Sequence, residues 1–371
     1  MYSSFNFMQN TASRQSAARY DFAKSHMTQL QIKKVAINGG GRIGRAFLKL
    51  AVMEPSLEVV AINDLADIGN IAYLMKYDSA YGRSNLDIQV DKDKNSFIIN
   101  GKEVKYVSEK DPANLPWAAL GVDIVLESTG LFTSYEKASA HIKAGAKRVV
   151  ISAPSKDEAG AQEAVTVLMG INTEDMSKCA VSSNASCTTN ASSPLISILN
   201  EKIGIEKAIL NTTHAYTASQ ALVDAPNKKD WREGRAAAMN MAPSSTGAAK
   251  AVTQVITDLK GKFDGIAVRV PVITGSLVDV TFIAKRATTV EEVNQILRDA
   301  AASANWKGIF DATDEELVSR DIVGNPHASI ADLKMTRVVD GNLVKVLAWY
   351  DNEGGYTHAL VKHVVEAGKL I

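Results

Sequence analysis

Residues 33–45, KKVAINGGGRIGR, decide the fold of this chain. The apolar run 33–38 is typical of a short buried strand, and residues 45–53 have the apolar spacing of an amphipathic helix. The glycines between them follow the pattern Gly-x-Gly-x-x-Gly and are Gly39, Gly41 and Gly44. A strand, a tight glycine turn and a helix in this order predict the opening unit of a layered α/β domain.

Further apolar runs indicate that this unit is repeated along the chain. Residues 57–63, 122–126 and 148–151 are short and almost continuously apolar, as expected of strands buried on both faces of a sheet. Because such strands alternate with helical stretches, we predict a Rossmann-type doubly wound parallel sheet.

The character of the chain changes after Cys187. Runs 265–270, 276–283 and 343–349 suggest half-buried antiparallel strands. We therefore predict an α/β protein in which a second, α+β domain carries a mostly antiparallel sheet. The predicted division is an extension at 1–30, a Rossmann domain made of 31–187 plus 353–371, and a catalytic domain at 188–352.

The composition excludes several classes of protein. Lys plus Arg and Asp plus Glu both number 41, so no global field favours nucleic acid or an anionic membrane, and nucleic acid is a secondary partner at most. The apolar runs are far shorter than the ~20 residues needed to cross a bilayer. The two cysteines, Cys179 and Cys187, give no disulfide framework and fit a reducing compartment. We predict no metal site.

The first 30 residues differ from the rest of the chain. They are rich in Ser, Ala, Gln and Thr and carry Arg14, Arg19 and Lys24 but one acid, Asp21. This composition resembles a transit peptide weakly. The alternative is a disordered upstream extension of a chain that can start at Met27. We therefore predict a cytoplasmic protein, and the extension leaves organelle targeting open.

An acidic residue strengthens the glycine pattern. Asp64 follows the second predicted strand, 25 positions after Gly39. Its carboxylate can accept hydrogen bonds from both hydroxyls of an adenosine ribose, while N–H groups at the start of the helix bind a pyrophosphate. Because Asp64 also repels a 2′-phosphate, we predict NAD rather than NADP. The alternative interpretation is a glycine turn without a ligand.

One of the two cysteines has the surroundings of a nucleophile. Cys187 lies in SNASCTTN, residues 183–190, just before a helical pattern, so the positive end of a helix dipole can stabilise its thiolate. The alternative interpretation, a small buried hydrophobe, is retained for Cys179. The polar neighbours of Cys187 argue against it there.

A reactive thiol needs a base, and the sequence offers six histidines. His214 ends the predicted strand 208–213 at the start of the second domain, where a cleft between domains would open. Position alone leaves open whether it is the base. The other histidines are His26, His141, His327, His358 and His363.

At these residues the chain resembles phosphorylating glyceraldehyde-3-phosphate dehydrogenase, over about residues 33–371. The cysteine and STGAAKA blocks are highly specific. The matching blocks, in order, are KVAINGGGRIGR (34–45), AIND (61–64), KYDSAYGR (76–83), SNASCTTN (183–190), HAYT (214–217), SSTGAAKAV (244–252), VRVP (268–271) and WYDNE (349–353).

The resemblance implies NAD-dependent oxidation of glyceraldehyde-3-phosphate to 1,3-bisphosphoglycerate. Cys187 would be the nucleophile, and His214 would lower its pKa and take the proton as hydride leaves. A thiohemiacetal would become a thioester, which inorganic phosphate cleaves to an acyl phosphate. The Cys187 N–H and His214 would hold the oxyanion.

The resemblance also implies two sets of ligand contacts. Without it, Arg232 and Arg235 would be interpreted as a solvated face, and whether Arg235 reaches a ligand stays open. The residues implied for the two phosphate groups are Ser186, Thr188, Thr217, Arg232, Thr246, Gly247 and Arg269. Those implied for the cofactor, beside the glycines, are Arg42, Ile43, Asp64, Lys110, Ser152, Asn352 and Tyr356.

Four of the cofactor positions have structural alternatives. Ile43 and Tyr356 can be core residues, Ser152 a strand-end turn, and Asn352 a helix N-cap.

The chain departs from the family pattern at four positions. The family has an aromatic residue where Gly40 stands, a cysteine at Ala191, an arginine at Lys110 and a tryptophan at Gly354. Because two glycines remove bulk near the cofactor, we expect weakened or altered NAD binding.

Other functions remain as alternatives. Erythrose-4-phosphate dehydrogenase replaces phosphorolysis by hydrolysis, and a non-catalytic NAD-binding regulatory or RNA-binding protein would keep the fold without turnover. Semialdehyde dehydrogenases lack these blocks in this order, and a cysteine hydrolase has no need of the glycine pattern. The family further implies a homotetramer whose loops complete neighbouring cofactor sites.

Overall fold

The computed structural model describes residues 31–157 and 162–371, so the predicted extension 1–30 lies outside the described residues. The strands, in chain order, are β1 Lys33–Asn38, β2 Leu57–Asn63, β3 Tyr77–Asp78, β4 Gly82–Arg83, β5 Ile88–Asp91, β6 Ser96–Ile99, β7 Lys102–Val107, β8 Ile124–Glu127, β9 Arg148–Ile151, β10 Val165–Thr166, β11 Val181–Ser183, β12 Ile205–Ala215, β13 Ala242–Ser245, β14 Phe263–Val270, β15 Ser276–Ala284, β16 Phe310–Thr313, β17 Ser329–Val339 and β18 Leu343–Tyr350.

The helices connect these strands. They are α1 Arg42–Ala51, α2 Ile68–Lys76, α3 Trp117–Leu120, α4 Tyr135–Ala138, α5 Ala140–Lys143, α6 Cys187–Lys202, α7 Ala248–Val255, α8 Val290–Ala302 and α9 Gly354–Gly368. Short 3-10 turns lie at Pro112–Asn114, Thr173–Lys178, Ala237–Met239, Thr257–Leu259 and Ser319–Ile322.

The first sheet has the strand order β10-β11-β9-β8-β1-β2-β7-β6-β5. From β10 to β7 neighbouring strands are parallel, and β6 and β5 extend the sheet as antiparallel strands. The predicted Rossmann-type sheet is therefore confirmed. Because β1 pairs with β2 on one side and β8 on the other, the order reverses at β1, and a ligand crevice is expected at the carboxyl ends of these strands.

The sequence of β1 explains its central place. Val35, Ala36 and Ile37 are all fully buried, so both faces of this strand are covered, as expected for a parallel sheet under helices. Helix α1 begins at Arg42, three residues before the predicted start at 45. This first turn contains the buried Gly44, and its Ile43 packs on the core.

The second sheet has the order β13-β14-β12-β15-β18-β17-β16. Four of its neighbouring pairs are antiparallel, and β12 with β14 and β16 with β17 are parallel, so the predicted mostly antiparallel sheet is confirmed. In β15 burial alternates strictly, with Val278, Val280 and Phe282 pointing to the core. Helix α6 packs on this buried face, and α7 and α8 pack beside it.

The last helix returns to the first sheet. Helix α9 packs against α1 and against β8 and β9. Helix α8 begins after Thr289, whose hydroxyl caps it by accepting the N–H of Glu292. In the described part of the chain, no helix is both long and apolar enough to traverse a bilayer.

Candidate active site

The glycine turn between β1 and α1 forms one wall of the crevice. Gly39 has φ of +105°, and a Cβ there would lie 2.8 Å from the backbone of Ser128. A Cβ at Gly44 would lie 1.9 Å from the carbonyl oxygen of Gly39, whereas one at Gly41 would meet nothing within 4 Å. The turn is therefore packed on one side and open on the other. The first N–H groups of α1 lack intrahelical acceptors and can bind an anion there.

Asp64 lies beside this turn at the end of β2. Its Oδ2 accepts the N–H of Gly40 at 2.7 Å, and its Oδ1 accepts the N–H of Ala66 at 2.9 Å. Each carboxylate oxygen keeps a second lone pair, which can accept a ribose hydroxyl. The carboxylate is thus oriented before any ligand arrives.

A buried polar network lies beneath the crevice and was not predicted. The Trp117 indole N–H donates to His141 Nδ1 at 3.0 Å, so His141 Nε2 carries the proton that it donates to Glu127 at 3.0 Å. Glu127 also accepts the side-chain amide of Asn38 at 2.6 Å, and Asn38 in turn accepts that of Asn63 at 2.7 Å. The network ties together the ends of β1, β2 and β8, where the crevice opens.

Arg42 holds the glycine turn to the last helix. Its guanidinium pairs with Glu353 and, at 2.8 Å, with Asp78, and the hydrogen bond to Glu353 is the main cause of its raised pKa. Because these ion pairs occupy the side chain, the backbone N–H is the part of Arg42 left for a ligand. Ile43 is half-buried and packs on the core, which agrees with its structural alternative.

Two other predicted cofactor positions lie around the crevice. Ser152 follows β9, is half-buried, and donates its N–H to the Glu127 carbonyl at 2.9 Å. Lys110 is exposed beyond the end of β7.

Asn352 has a fixed side-chain orientation. Its Oδ1 accepts the Ser276 hydroxyl at 2.8 Å, the Gly275 N–H at 3.1 Å and the Thr274 hydroxyl at 3.3 Å. The side-chain NH₂ is therefore the group left to donate to a ligand. The alternative of an N-cap is wrong, because Glu353 occupies that position of α9.

Cys187 is the first residue of α6 and faces His214. The Ser186 hydroxyl caps the helix by accepting the Thr189 N–H at 3.1 Å. Cys187 Sγ lies 3.3 Å from Nε2 of His214, which lies near the end of β12. The resemblance implied that these two side chains work together, and the sequence placed His214 where a cleft between domains would open. The first N–H groups of α6, which lack intrahelical acceptors, lie at the same helix start as the sulfur.

Arg269 completes this cluster. It is paired in register with His214 across the parallel strands β12 and β14, and its Nη1 lies 2.8 Å from His214 Nδ1. The same Nδ1 lies 2.6 Å from the carbonyl oxygen of Ala215. Since Nδ1 cannot donate to the carbonyl and accept from the guanidinium at once, the two contacts compete.

Both members of the Cys187–His214 pair are neutral at rest. Burial raises the pKa of the Cys187 thiol to about 11, although the charge of Arg269 opposes this. Burial and then the charge of Arg269 lower the pKa of His214 to about 4. The thiolate expected from the helix dipole is therefore not the resting form, because burial outweighs the dipole. Proton transfer to Nε2 must accompany attack by sulfur.

The predicted anion-binding residues are only partly brought together. Ser186 and Thr188 flank Cys187, while Thr217 bonds to Ser219 at 3.0 Å and Arg232 is exposed. Thr246 and Gly247 precede α7, where the Thr246 hydroxyl accepts the Ala248 N–H at 3.2 Å. Within residues 31–157 and 162–371, no hydrogen bond joins Thr217, Arg232 or Thr246 to the cluster around Cys187.

Tyr350 is a site residue that sequence reasoning missed. Its hydroxyl bridges the hydroxyls of Thr188 at 3.0 Å and Thr212 at 2.8 Å. Its ring lies edge-on to that of His214, with 6.0 Å between the ring centroids. It thereby fixes the start of α6 relative to β12. The signal was its place in the WYDNE block, directly after a predicted strand.

One of the unusual glycines has a structural explanation. A Cβ at Gly354 would lie 2.7 Å from a carboxylate oxygen of Asp351 and 3.3 Å from the hydroxyl of Tyr81. That hydroxyl donates to Asp351 at 2.9 Å and accepts the Gly354 N–H at 2.9 Å. Tyr81 and Asp351 therefore occupy the space that a larger residue at 354 would need.

Comparisons with known proteins agree with this site. Residues 33–135 match the family model "Glyceraldehyde 3-phosphate dehydrogenase, NAD binding domain", and residues 186–352 match "Glyceraldehyde 3-phosphate dehydrogenase, C-terminal domain". Glyceraldehyde-3-phosphate dehydrogenase of Clostridium pasteurianum is 49% identical over 342 residues, 91% of this chain and 99% of that protein. Glyceraldehyde-3-phosphate dehydrogenase B of Aspergillus oryzae is 46% identical over 340 residues, again 91% and 99% of the two chains.

A third relative gives the same result. Glyceraldehyde-3-phosphate dehydrogenase of Geobacillus stearothermophilus is 48% identical over 330 residues, 88% of this chain and 96% of that protein. The matches cover both sheets and the cluster around Cys187. The chain belongs to the glyceraldehyde-3-phosphate dehydrogenase family.

Proposed function

We propose that this enzyme oxidises glyceraldehyde-3-phosphate with NAD and inorganic phosphate to 1,3-bisphosphoglycerate. The observation that carries the proposal is the 3.3 Å contact between Cys187 Sγ and His214 Nε2 at the edge of a dinucleotide-binding sheet. A thiol, a base and a Rossmann fold are the parts that a thioester-forming aldehyde dehydrogenase needs.

The crevice fits NAD, which when bound supplies the acceptor for the hydride. The open side of the turn at Gly41 and the N–H groups of Arg42 and Ile43 would hold the pyrophosphate. Asp64 would accept the ribose hydroxyls, and its charge disfavours a 2′-phosphate. The free NH₂ of Asn352 would orient the carboxamide. Lys110 and Ser152 would line the remaining cofactor surface, and Tyr356 would support the nicotinamide side.

His214 moves protons at each step. Its Nε2 takes the Cys187 proton as sulfur bonds to the aldehyde carbon, and it returns that proton to the new oxyanion. It takes the proton again when the carbon loses hydride and the thioester forms. A phosphate oxygen then attacks the carbonyl carbon, the carbon–sulfur bond breaks, and the sulfur recovers its proton from His214. The Cys187 N–H stabilises the oxyanion in both tetrahedral states.

Arg269 links anion binding to the base. A bound phosphate competes with His214 for the guanidinium, because a charge-assisted bond to phosphate is stronger than the contact with neutral imidazole. Once Arg269 turns to the anion, Nδ1 donates to the Ala215 carbonyl and Nε2 keeps its lone pair for the thiol. Ser186, Thr188, Thr217, Arg232, Thr246 and Gly247 would supply the remaining anion donors.

The surface supports an oligomer. Five large apolar side chains between 222 and 241 are exposed, and such exposure on one segment is typical of an interface. They are Leu222, Val223, Trp231, Met239 and Met241. We propose a homotetramer in the cytoplasm, in which 31–187 plus 353–371 bind the cofactor and 188–352 bind the substrate.

The test follows NADH absorbance with glyceraldehyde-3-phosphate, NAD and phosphate, and repeats it without phosphate, with NADP, and with Cys187→Ser. We expect phosphate-dependent NADH formation that the substitution abolishes. Equal turnover without phosphate would instead support the hydrolysing erythrose-4-phosphate dehydrogenase. A second assay with erythrose-4-phosphate as substrate would then test that alternative. No turnover with either cofactor would overturn the proposal in favour of a binding protein. Light scattering at assay concentration tests the tetramer.

A further inference from the structure

The turn that leads into the nucleophile has an unusual backbone. Ala185, two residues before Cys187, has φ of +56° and is fully buried. The left-handed region is unfavourable for residues with a Cβ, and it persists only where the surroundings impose it. The contacts around Ala185 therefore determine where α6 begins and where the sulfur lies.

Backbone groups of this turn are held from several sides. The Ser183 hydroxyl accepts the Ala185 N–H at 3.0 Å, and the Tyr356 hydroxyl donates to the Ala185 carbonyl at 3.0 Å. The Asn190 amide donates to the carbonyls of Asn184 at 2.7 Å and of Ser186 at 3.0 Å. Ser183 belongs to β11, Asn190 to α6 and Tyr356 to α9, so the turn is held by one strand and two helices.

Among the described residues, the side chain of Asn184 hydrogen-bonds to His363. Its Oδ1 lies 3.0 Å from Nδ1 of His363, a fully buried residue of α9. Its Nδ2 is buried without a partner among the described residues. The hydrogen bond with His363 therefore orients the Asn184 amide, and the Tyr356 hydroxyl lies close by.

The other ring nitrogen of His363 is also occupied. Nε2 lies 2.8 Å from the Ser182 hydroxyl, and with Nδ1–H donating to Asn184, Nε2 accepts from that hydroxyl. The neutral ring thus satisfies one donor, the Ser182 hydroxyl, and one acceptor, the Asn184 side-chain oxygen. Burial and then the charge of Arg148 lower the pKa of His363 to about 3, so this neutral form persists across the physiological range.

We propose that His363 is a positioning residue for the reaction: it fixes the Asn184 amide and so holds the left-handed turn at Ala185 that places Cys187 against His214. His363 does not touch the reacting atoms and acts through Asn184. The proposal concerns the nucleophile of the proposed function and rests on that function only for its turnover readout.

Three substitutions separate the two hydrogen bonds of the ring. In His363→Asn the amide nitrogen stands at the same branch point as Nδ1, so donation to Asn184 is kept and the Ser182 contact is lost. In His363→Gln the amide lies one bond further out, which favours Ser182 over Asn184. His363→Leu keeps neither bond. His358→Gln, on the same helix, is the matched control.

The readouts are kcat, the rate of Cys187 alkylation by iodoacetamide, and Tm, each on the folded tetramer. Because a misplacement of about 1 Å can cost roughly 100-fold, we expect His363→Gln and His363→Leu to lower kcat and the alkylation rate at least about tenfold. His363→Asn and His358→Gln should stay within about threefold of the parent protein, and the KM for NAD should not change.

Two outcomes would overturn the proposal. One is a parent-like alkylation rate in His363→Gln or His363→Leu. The other is an equal loss in His363→Asn and His363→Gln that follows Tm, which indicates a structural role only. If His363→Leu does not fold, the comparison of His363→Asn with His363→Gln still tests the proposal. Alkylation needs no substrate, so failure of the proposed function alone would leave the alkylation pattern intact.

Discussion

The cofactor half of the active site and its anion-binding half differ in how far their polar groups are fixed. In the cofactor half, Asp64 is oriented by two N–H groups and the Asn352 carbonyl by three donors. In the anion-binding half, Arg232 is exposed, Thr217 bonds to a neighbouring serine, and Arg269 lies against the base. The first half is preorganised, and we propose that the second takes its final arrangement when anions bind.

The largest expected effect separates catalysis from cofactor binding. His214→Asn removes the group that accepts the thiol proton, so kcat/KM should fall by roughly 10²- to 10⁴-fold, with the Kd for NAD unchanged. Steady-state kinetics and fluorescence titration of NAD measure the two quantities. Cys179→Ser is the control and should retain parent activity. A parallel loss of NAD affinity in His214→Asn would show that the halves are not independent.

A smaller effect is expected from substitution of Arg269, which contacts the base His214. Arg269→Gln removes a charge-assisted donor, which is worth about 1.5–3 kcal/mol, so the KM for phosphate or for substrate should rise by roughly 10- to 100-fold. Arg235→Gln is the matched control, because Arg235 is exposed and pairs with Asp224. Unchanged KM values for both anions would contradict the role given to Arg269.

The preorganised half is probed at Asp64. Asp64→Asn keeps an acceptor but loses the charge, so NAD should bind about tenfold more weakly while discrimination against NADP decreases. Isothermal titration with both cofactors checks this, and Glu58→Gln, on the exposed face of the same strand, is the control. Retained discrimination against NADP would show that another group excludes the 2′-phosphate.

The smallest effect concerns acid stability. His363 titrates near 3 in the folded protein and near 6.5 when unfolded, so between these values the unfolded chain binds a proton that the folded protein does not. The free energy of unfolding therefore falls as pH drops, by about 1.4 kcal/mol per pH unit from this residue. Urea unfolding at fixed protein concentration gives the free energy of unfolding at each pH between 6 and 4.5. In His363→Asn this free energy should fall with pH by about 1.4 kcal/mol per pH unit less than in the parent protein. Equal slopes would show that His363 is not held neutral.

The preorganised half was also the more predictable one. The turn at Gly39–Gly44 and the acid at Asp64 belong to one strand–turn–helix–strand unit, whose geometry follows from local spacing. The same reasoning located β1, β2 and β9 with their observed bounds and confirmed the two sheet types. It placed the start of α1 three residues too late.

Contacts between distant segments were beyond sequence reasoning. His214 and Arg269 are neighbours only because β12 and β14 pair in one register, which residue patterns do not specify. For the same reason the sequence did not predict that His141, on a short helix, contacts Glu127, or that His363 contacts Asn184. The neutral state of Cys187 depends on burial, which likewise follows from packing and not from the helix start alone.

The central claim is a thioester on Cys187, and peptide mass spectrometry tests it most directly. The enzyme is mixed with NAD and glyceraldehyde-3-phosphate without phosphate, quenched in acid and digested. We predict an acyl adduct on the peptide that contains Cys187, formed with one equivalent of NADH and lost when phosphate is added. NADH formation without any adduct on that peptide would contradict the account.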